Sequence, residues 1–256
     1  SGRIHGAENT LLDFNRAGVP LVEVVSEPDI RSPEQARAYG VEPQRIVRAL
    51  GVSDARLEEG SMRFDANISV RPVGTTELGT RSEVKNVNSL RSLQRTIAYE
   101  IERQIEILEA GGSIHQETRH WDEAKGVTRS GRRMEESEDY RYFQDPELLP
   151  LFIDDAWRER VAARRPELPA GKRERYAGLG ADRRTAELLV DASDLADLFQ
   201  DAVAEGADPR NVGIWLTGEV VRYLRSERVD VAETGLSAAS LVELSAMVGD
   251  GDLSAT

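Results

Sequence analysis

Residues 62–71, Met-Arg-Phe-Asp-Ala-Asn-Ile-Ser-Val-Arg, alternate apolar and polar without a break. Side chains on a strand alternate with period two. Met62, Phe64, Ala66, Ile68 and Val70 therefore share one face, and Arg63, Asp65, Asn67, Ser69 and Arg71 the other. Two guanidinium groups, a carboxylate, an amide and a hydroxyl in one row can hold phosphate, metal or water. Residues 81–87 carry a second polar row, Arg81, Glu83 and Lys85, with Ser82, Val84 and Asn86 behind it. The turn-like stretch 72–80, with Pro72, Gly74 and Gly79, joins the two into an expected antiparallel hairpin. Paired strands lie about 5 Å apart, so the rows combine Arg63, Asp65, Asn67, Ser69, Arg81, Glu83 and Lys85 into one surface. Hard oxygen ligands suit Mg²⁺, and Arg and Lys suit phosphate. On pattern alone, a wet sheet face with cross-strand ion pairs explains the row equally well.

Other residues invite chemistry less strongly. Glu23 sits among Leu21, Val22, Val24 and Val25, either on an open sheet face or as a ligand. A metal needs two or three converging carboxylates, and Glu23, Glu59, Asp65 and Glu83 are the candidates. Asn86-Val87-Asn88-Ser89 lies between a strand and a helix N-terminus, where exposed amides can bind an anion. For Ser89, capping is the favoured role. Asp139-Tyr140-Arg141-Tyr142-Phe143 could contact RNA or a partner, with at least one ring packed on the sheet. His5, His115 and His120 form no metal-ligand pair and read as surface residues. Neither G-x-x-x-x-G-K-[ST] nor G-x-G-x-x-G occurs, so any use of ATP requires an unorthodox site.

The elements that must position these residues follow from spacing and caps. Val19 to Val25 is β-branched and reads as a strand. Ser32-Pro33-Glu34-Gln35 opens a helix that Gly51 closes. Leu90, Leu93, Ile97, Ile101, Ile105 and Leu108 form a helical stripe, capped by Asn88 or Ser89 and ended by Gly111-Gly112. Two short strands flank a turn at 122–126. Beyond Pro150 strand patterns fade, and helices are expected near 154–165, 183–190, 194–205, 209–226 and 238–248. The expected class is α+β: an antiparallel sheet with packed helices in 1–149, then an all-helical domain in 150–256.

Bulk properties bound the rest. With 256 residues, 39% hydrophobic and 31% charged, the chain can fold with a polar surface. Aromatics are only 5%, so the core must rest on Leu, Val, Ile and Ala. A net charge of −13 opposes bulk attraction to nucleic acid, although Arg129, Arg132 and Arg133 cluster locally. The lack of cysteine excludes disulfides and thiolate metal sites and fits a reducing cytoplasm. No apolar run approaches the roughly 18 residues that span a membrane.

Several segments, in order, resemble signatures of the tRNA-dependent amidotransferase component known as the GatB family. They are Asp13 to Asp29, Glu58 to Arg71, Gly79 to Ser89, Gln116 to Asp122 and Asp139 to Phe143. The likeness continues through Asn211 to Tyr223. It implies a subunit that works with the GatA amidase and the small GatC subunit on tRNA misacylated with glutamate or aspartate. ATP and Mg²⁺ would phosphorylate the side-chain carboxylate, and ammonia from glutamine would displace the phosphate. It implies Glu23 and Glu83 as metal carboxylates and Arg63, Asp65 and Lys85 as catalytic groups. Asn67, Ser69, Asn86 and Asn88 would line the nucleotide pocket. Family members also carry a Glu-x-His motif and a Glu-Glu-Asp segment, neither found before Asp13, and a tail domain beyond the helical one. By resemblance the chain is a middle piece, with part of the family's antiparallel-sheet cradle in 1–149 and its helical domain in 150–256, and transamidation by it alone is not expected. The competing reading is a non-catalytic tRNA- or partner-binding module on the same scaffold.

Overall fold

A computed structural model describes Asn15, residues 18–133 and residues 146–254. The aromatic segment 139–143 lies outside the described residues, as does His5. The chain divides into two compact units, Ser1–Arg31 and Ser32–Thr256.

The described residues of the first unit form neither helix nor strand. The expected strand over 19–25 is absent. No ladder among the described residues satisfies its backbone, and Leu21, Val22 and Val25 stay 83%, 81% and 80% exposed. A β-branched run makes a strand only where a partner strand takes up its N–H and C=O groups.

In the second unit, α1 (Pro33–Ala49) starts at Ser32, whose Oγ accepts from the Gln35 amide at 3.2 Å. β1 (Phe64–Ile68) and β2 (Ser82–Val87) form the expected antiparallel hairpin. α2 (Leu90–Glu109) follows, capped by Ser89, whose Oγ accepts from the Ser92 amide at 2.9 Å. β3 (Glu117–Asp122) then pairs parallel to β2, and β4 (Val127–Arg133) returns antiparallel. The sheet order is β1-β2-β3-β4. Parallel neighbours need a long crossover, and α2 supplies it while covering one face of the sheet. α1 packs on α2 at Gly40, where a Cβ would stand 2.6 Å from Leu90 Cδ2.

The layer between α2 and the sheet is only partly apolar. Ala66, Ile68, Val84, Val87, Leu93 and Trp121 form its apolar portion. Beside them, Ser92, Thr96, Glu100 and Gln104 make a buried polar stripe at four-residue spacing. Glu100 accepts from Arg103 Nε at 3.0 Å, Gln104 Nε2 at 3.1 Å and Thr128 Oγ1 at 2.9 Å. Arg119 of β3 lies 3.4 Å from the same carboxylate and donates to Thr128 Oγ1 and O at 2.8 and 3.0 Å. Gln104 also donates to the Ile68 carbonyl at 3.0 Å. The apolar stripe read from the sequence therefore ends early, and Ile105 and Leu108 are 39% and 42% exposed.

The rest of the unit is helical. α3 (Asp155–Arg164) buries no residue. α4 (Pro169–Gly178), not expected from the sequence, precedes α5 (Arg183–Asp191) and α6 (Ser193–Ala204). α7 (Pro209–Trp215), a π-helical turn (Leu216–Val220) and α8 (Val221–Glu227) run on as one rod. A short 3₁₀ turn (Val231–Glu233) precedes α9 (Ala238–Gly249). Tyr176, Leu189, Phe199, Val212, Leu216 and Leu241 centre this core. Helices beside one small sheet make the class α+β, as expected.

Burial pushes the Glu100 carboxyl up, but hydrogen bonds from Arg103, Gln104 and Thr128 and the Arg103 charge outweigh it and hold it below the usual range. A carboxyl lowered in the folded state stabilises the fold above its unfolded pKa of about 4.3. That contribution fades as pH falls through the folded value. Removing one member of a buried ion pair costs about 3–5 kcal/mol. Glu100→Ala should therefore lose stability of that order at neutral pH in urea unfolding. Glu100→Gln should lack the wild-type chain's loss of stability below about pH 4 that comes from this group.

Candidate functional site

The face of the sheet opposite α2 carries the polar rows. Asp65 and Asn67 of β1 are exposed, and Glu83 and Lys85 of β2 are half-buried beside them. Asn67 stands opposite Glu83, and Glu83 stands beside Thr118 of β3. Thr118 Oγ1 donates to Glu83 Oε2 at 3.2 Å. Lys85 Nζ lies 3.4 Å from Glu83 Oε1 and 3.7 Å from Asp65 Oδ2. Glu83 is the most enclosed of the three, with its side chain 14% exposed against 44% for Lys85 and 48% for Asp65. A carboxylate pinned by a hydroxyl and an ammonium is a fixed negative point. The lysine between two carboxylates remains open to solvent and to an incoming anion.

A bulge makes this arrangement possible. Ala66 pairs with Val84 but Phe64 with Val87, so β2 carries one extra residue across from Asp65. The extra residue resets the alternation. Val84 and Val87 can both be buried although three positions separate them, and Lys85 stays on the open face.

Other predicted residues lie at the rim or elsewhere. β1 is shorter than the alternating pattern, so Arg63 and Ser69 flank its ends instead of standing in the ladder. Arg71 is turned away, its guanidinium donating to the Thr76 carbonyl. Arg81 precedes β2 and is exposed. The backbone of Asn86 lies in the bulge, and Asn88 is exposed just before the α2 cap. Glu59 is paired with Arg56 at 2.6 Å. Glu23 belongs to the first unit, in its exposed extended stretch. No group of three or more metal-ligating side chains occurs among the described residues.

Residues 1–159 match the model of the GatB/GatE catalytic domain, and residues 197–256 match that of the GatB domain. The chain belongs to the GatB/GatE family. Its relatives include the GatB-type component of the aspartyl/glutamyl-tRNA(Asn/Gln) amidotransferase of Caldanaerobacter subterraneus subsp. tengcongensis, 44% identical over 97% of this chain and 53% of that protein. The protein of the same name from Crocosphaera subtropica is 47% identical over 99% of this chain and 52% of its own length. That from Listeria monocytogenes serotype 4b is 47% identical over 96% and 52%. The chain thus spans about half the length of these relatives.

Within this GatB framework the structure adds Thr118, His120 and Arg129 to the open face. The alternation of Thr118 and His120 against Arg119 and Trp121 was a readable signal for the first two. What the sequence did not reveal was that β3 lies beside β2 and not beyond the hairpin.

Exposed ion pairs contribute about 0–1 kcal/mol. Lys85→Met should therefore shift the urea midpoint of the chain by less than about 1 kcal/mol equivalent. A larger loss would mean that Lys85 is a structural residue.

Proposed function

We propose that the chain is the central part of a subunit of an ATP-dependent tRNA amidotransferase. In this reading 1–149 is the C-terminal part of a catalytic cradle and 150–256 a helical domain. The substrates are tRNA(Gln) carrying glutamate and tRNA(Asn) carrying aspartate, and the partners are the GatA amidase and GatC in the cytoplasm. The observation that carries the reading is family membership over 1–159, with three of the family-like segments, Glu58 to Arg71, Gly79 to Ser89 and Gln116 to Asp122, supplying strands β1, β2 and β3 of one sheet.

The reaction has two balanced steps. An oxygen of the side-chain carboxylate attacks the γ-phosphorus of ATP, and ADP leaves. Ammonia then attacks the acyl carbon of the mixed anhydride; it loses a proton as inorganic phosphate departs, leaving the amide. Charge builds on the transferring phosphoryl oxygens, so the protein's main contribution is fixed countercharge. Lys85 is placed to supply it at the centre of the face, with Arg63 at the rim. Asp65 and Glu83 hold the Lys85 ammonium between them. Asn67, Ser69, Asn86 and Asn88 would offer neutral donors and acceptors to the nucleotide.

Mg²⁺ would screen the phosphates. Asp65 and Glu83 offer two hard oxygens on one face, but both are engaged by Lys85 and no third ligand joins them among the described residues. These residues do not by themselves make a metal shell. The roles of Glu23 and Glu83 as its carboxylates rest on the family resemblance.

The test is amide formation on Glu-tRNA and Asp-tRNA by the full-length subunit assembled with its partners. Wild-type activity is expected, and its absence would overturn the reading. Glu83→Ala should reduce activity by about tenfold or more, the usual effect of losing a ligand or its support. A loss of less than about threefold would remove Glu83 from the site.

A further inference from the structure

The open face also carries two residues, His120 and Arg129, to which the family resemblance assigns no role. β2, β3 and β4 each place one nitrogen-bearing side chain at the same level. Lys85 stands beside His120, and His120 stands opposite Arg129. Strands lie about 4.8 Å apart, so the row crosses about 10 Å of sheet.

The place of His120 is set by shape. It is exposed, and it bonds to no other described residue. Its ring rests on Gly131. A Cβ there would stand 3.0 Å from both Cδ2 and Nε2 of His120 and 2.8 Å from the Thr118 carbonyl oxygen. Gly131 lies in a second bulge: Arg119 pairs with Ser130 but Glu117 with Arg133, so β4 carries one extra residue across from Thr118. The bare Cα leaves room for the imidazole beside Thr118, the residue that pins Glu83. Arg129 gives Nη2 to Asp122 at 2.7 Å, and its side chain remains 56% exposed. A guanidinium carries five donors, so one ion pair leaves others for a ligand.

We propose that His120 and Arg129 contact substrate directly, extending the phosphate-holding wall from Lys85 across β3 and β4 to take the polyphosphate of a nucleoside triphosphate. The proposal rests on the preceding reading of this face as an ATP-dependent site. A linear anion of several charges can take donors from three neighbouring strands in register, whereas a single carboxylate needs only Lys85. A nucleic-acid backbone needs a positive track that continues. Here the row stops at β4, the edge strand among the described residues, on a chain of net charge −13.

The experiment is steady-state kinetics on the assembled full-length enzyme. His120→Ala and Arg129→Ala should each raise KM for ATP by about tenfold, the loss of one hydrogen bond to a charged group. KM for glutamine and for aminoacyl-tRNA should stay within about twofold, as should kcat. His120→Asn, which keeps a donor, should recover part of the ATP affinity. Both side chains are exposed, so the melting temperature should not move. Gly131→Ala, which must displace the ring, should give the same rise in KM; if the clash of its Cβ with the Thr118 carbonyl prevents folding, the two side-chain variants decide. An unchanged KM for ATP in both single variants and the double variant overturns the proposal. So does a shift confined to tRNA. Lys85→Met tells the two levels apart. If it raises KM for ATP while the other variants do not, only the extension across β3 and β4 falls. If it too leaves ATP untouched, this face is not the nucleotide site.

Discussion

Glu100 reaches from the middle of α2 into the sheet and engages β4 through Thr128 and β3 through Arg119. Its side chain is wholly buried, so the charge is tolerable only because four donors surround it. That requirement fixes the depth and rotation of α2 over the sheet, since a shift of one turn would leave a bare carboxylate. Gln104, one turn further, locks β1 through the Ile68 carbonyl. Around these contacts the apolar portion, from Leu93 to Trp121, can pack without choosing the register itself.

With α2 committed to one face, the polar rows are forced to the other. The bulge at Lys85-Asn86 then does what plain alternation cannot. It keeps Val84 and Val87 both buried while Lys85 stays between Asp65 and Glu83. The second bulge, at Gly131, gives His120 its seat. Bulges bend a strand and re-aim side chains, and both border the same patch. The site is thus a product of irregularities in the ladder, held in place by a regular helix behind it.

The helical region is tied to α1 by charge. Arg45 pairs with Glu187 at 2.5 Å and Asp191 at 2.6 Å, and Arg173 bridges Glu42 and Glu187. These groups are partly exposed, so each pair contributes modestly, but planar guanidinium forks set orientation well. α1 in turn rests on α2 through Gly40. A chain of contacts therefore runs from α4 and α5 to the helix that backs the candidate site.

Local chemistry in the sequence determined most of the elements. Ser32 and Ser89 each cap the helix they were expected to open, and Asp208 and Ser237 cap α7 and α9 in the same way. The alternation in 62–71 named the polar row and its hairpin partner, because strand faces follow from period two alone. The tertiary structure decided what depends on partners distant in sequence. The run 19–25 had the composition of a strand but no ladder to join among the described residues. The stripe on α2 looked apolar, yet the deepest residues of the helix are Thr96, Glu100 and Gln104, and polar groups from β1, β3 and β4 converge on the last two. His120 is exposed, as it was read, and the parallel pairing of β2 with β3 sets it beside Lys85. Residue types fix which groups can bind phosphate; only the ladder, with its two extra residues, fixes which of them stand together.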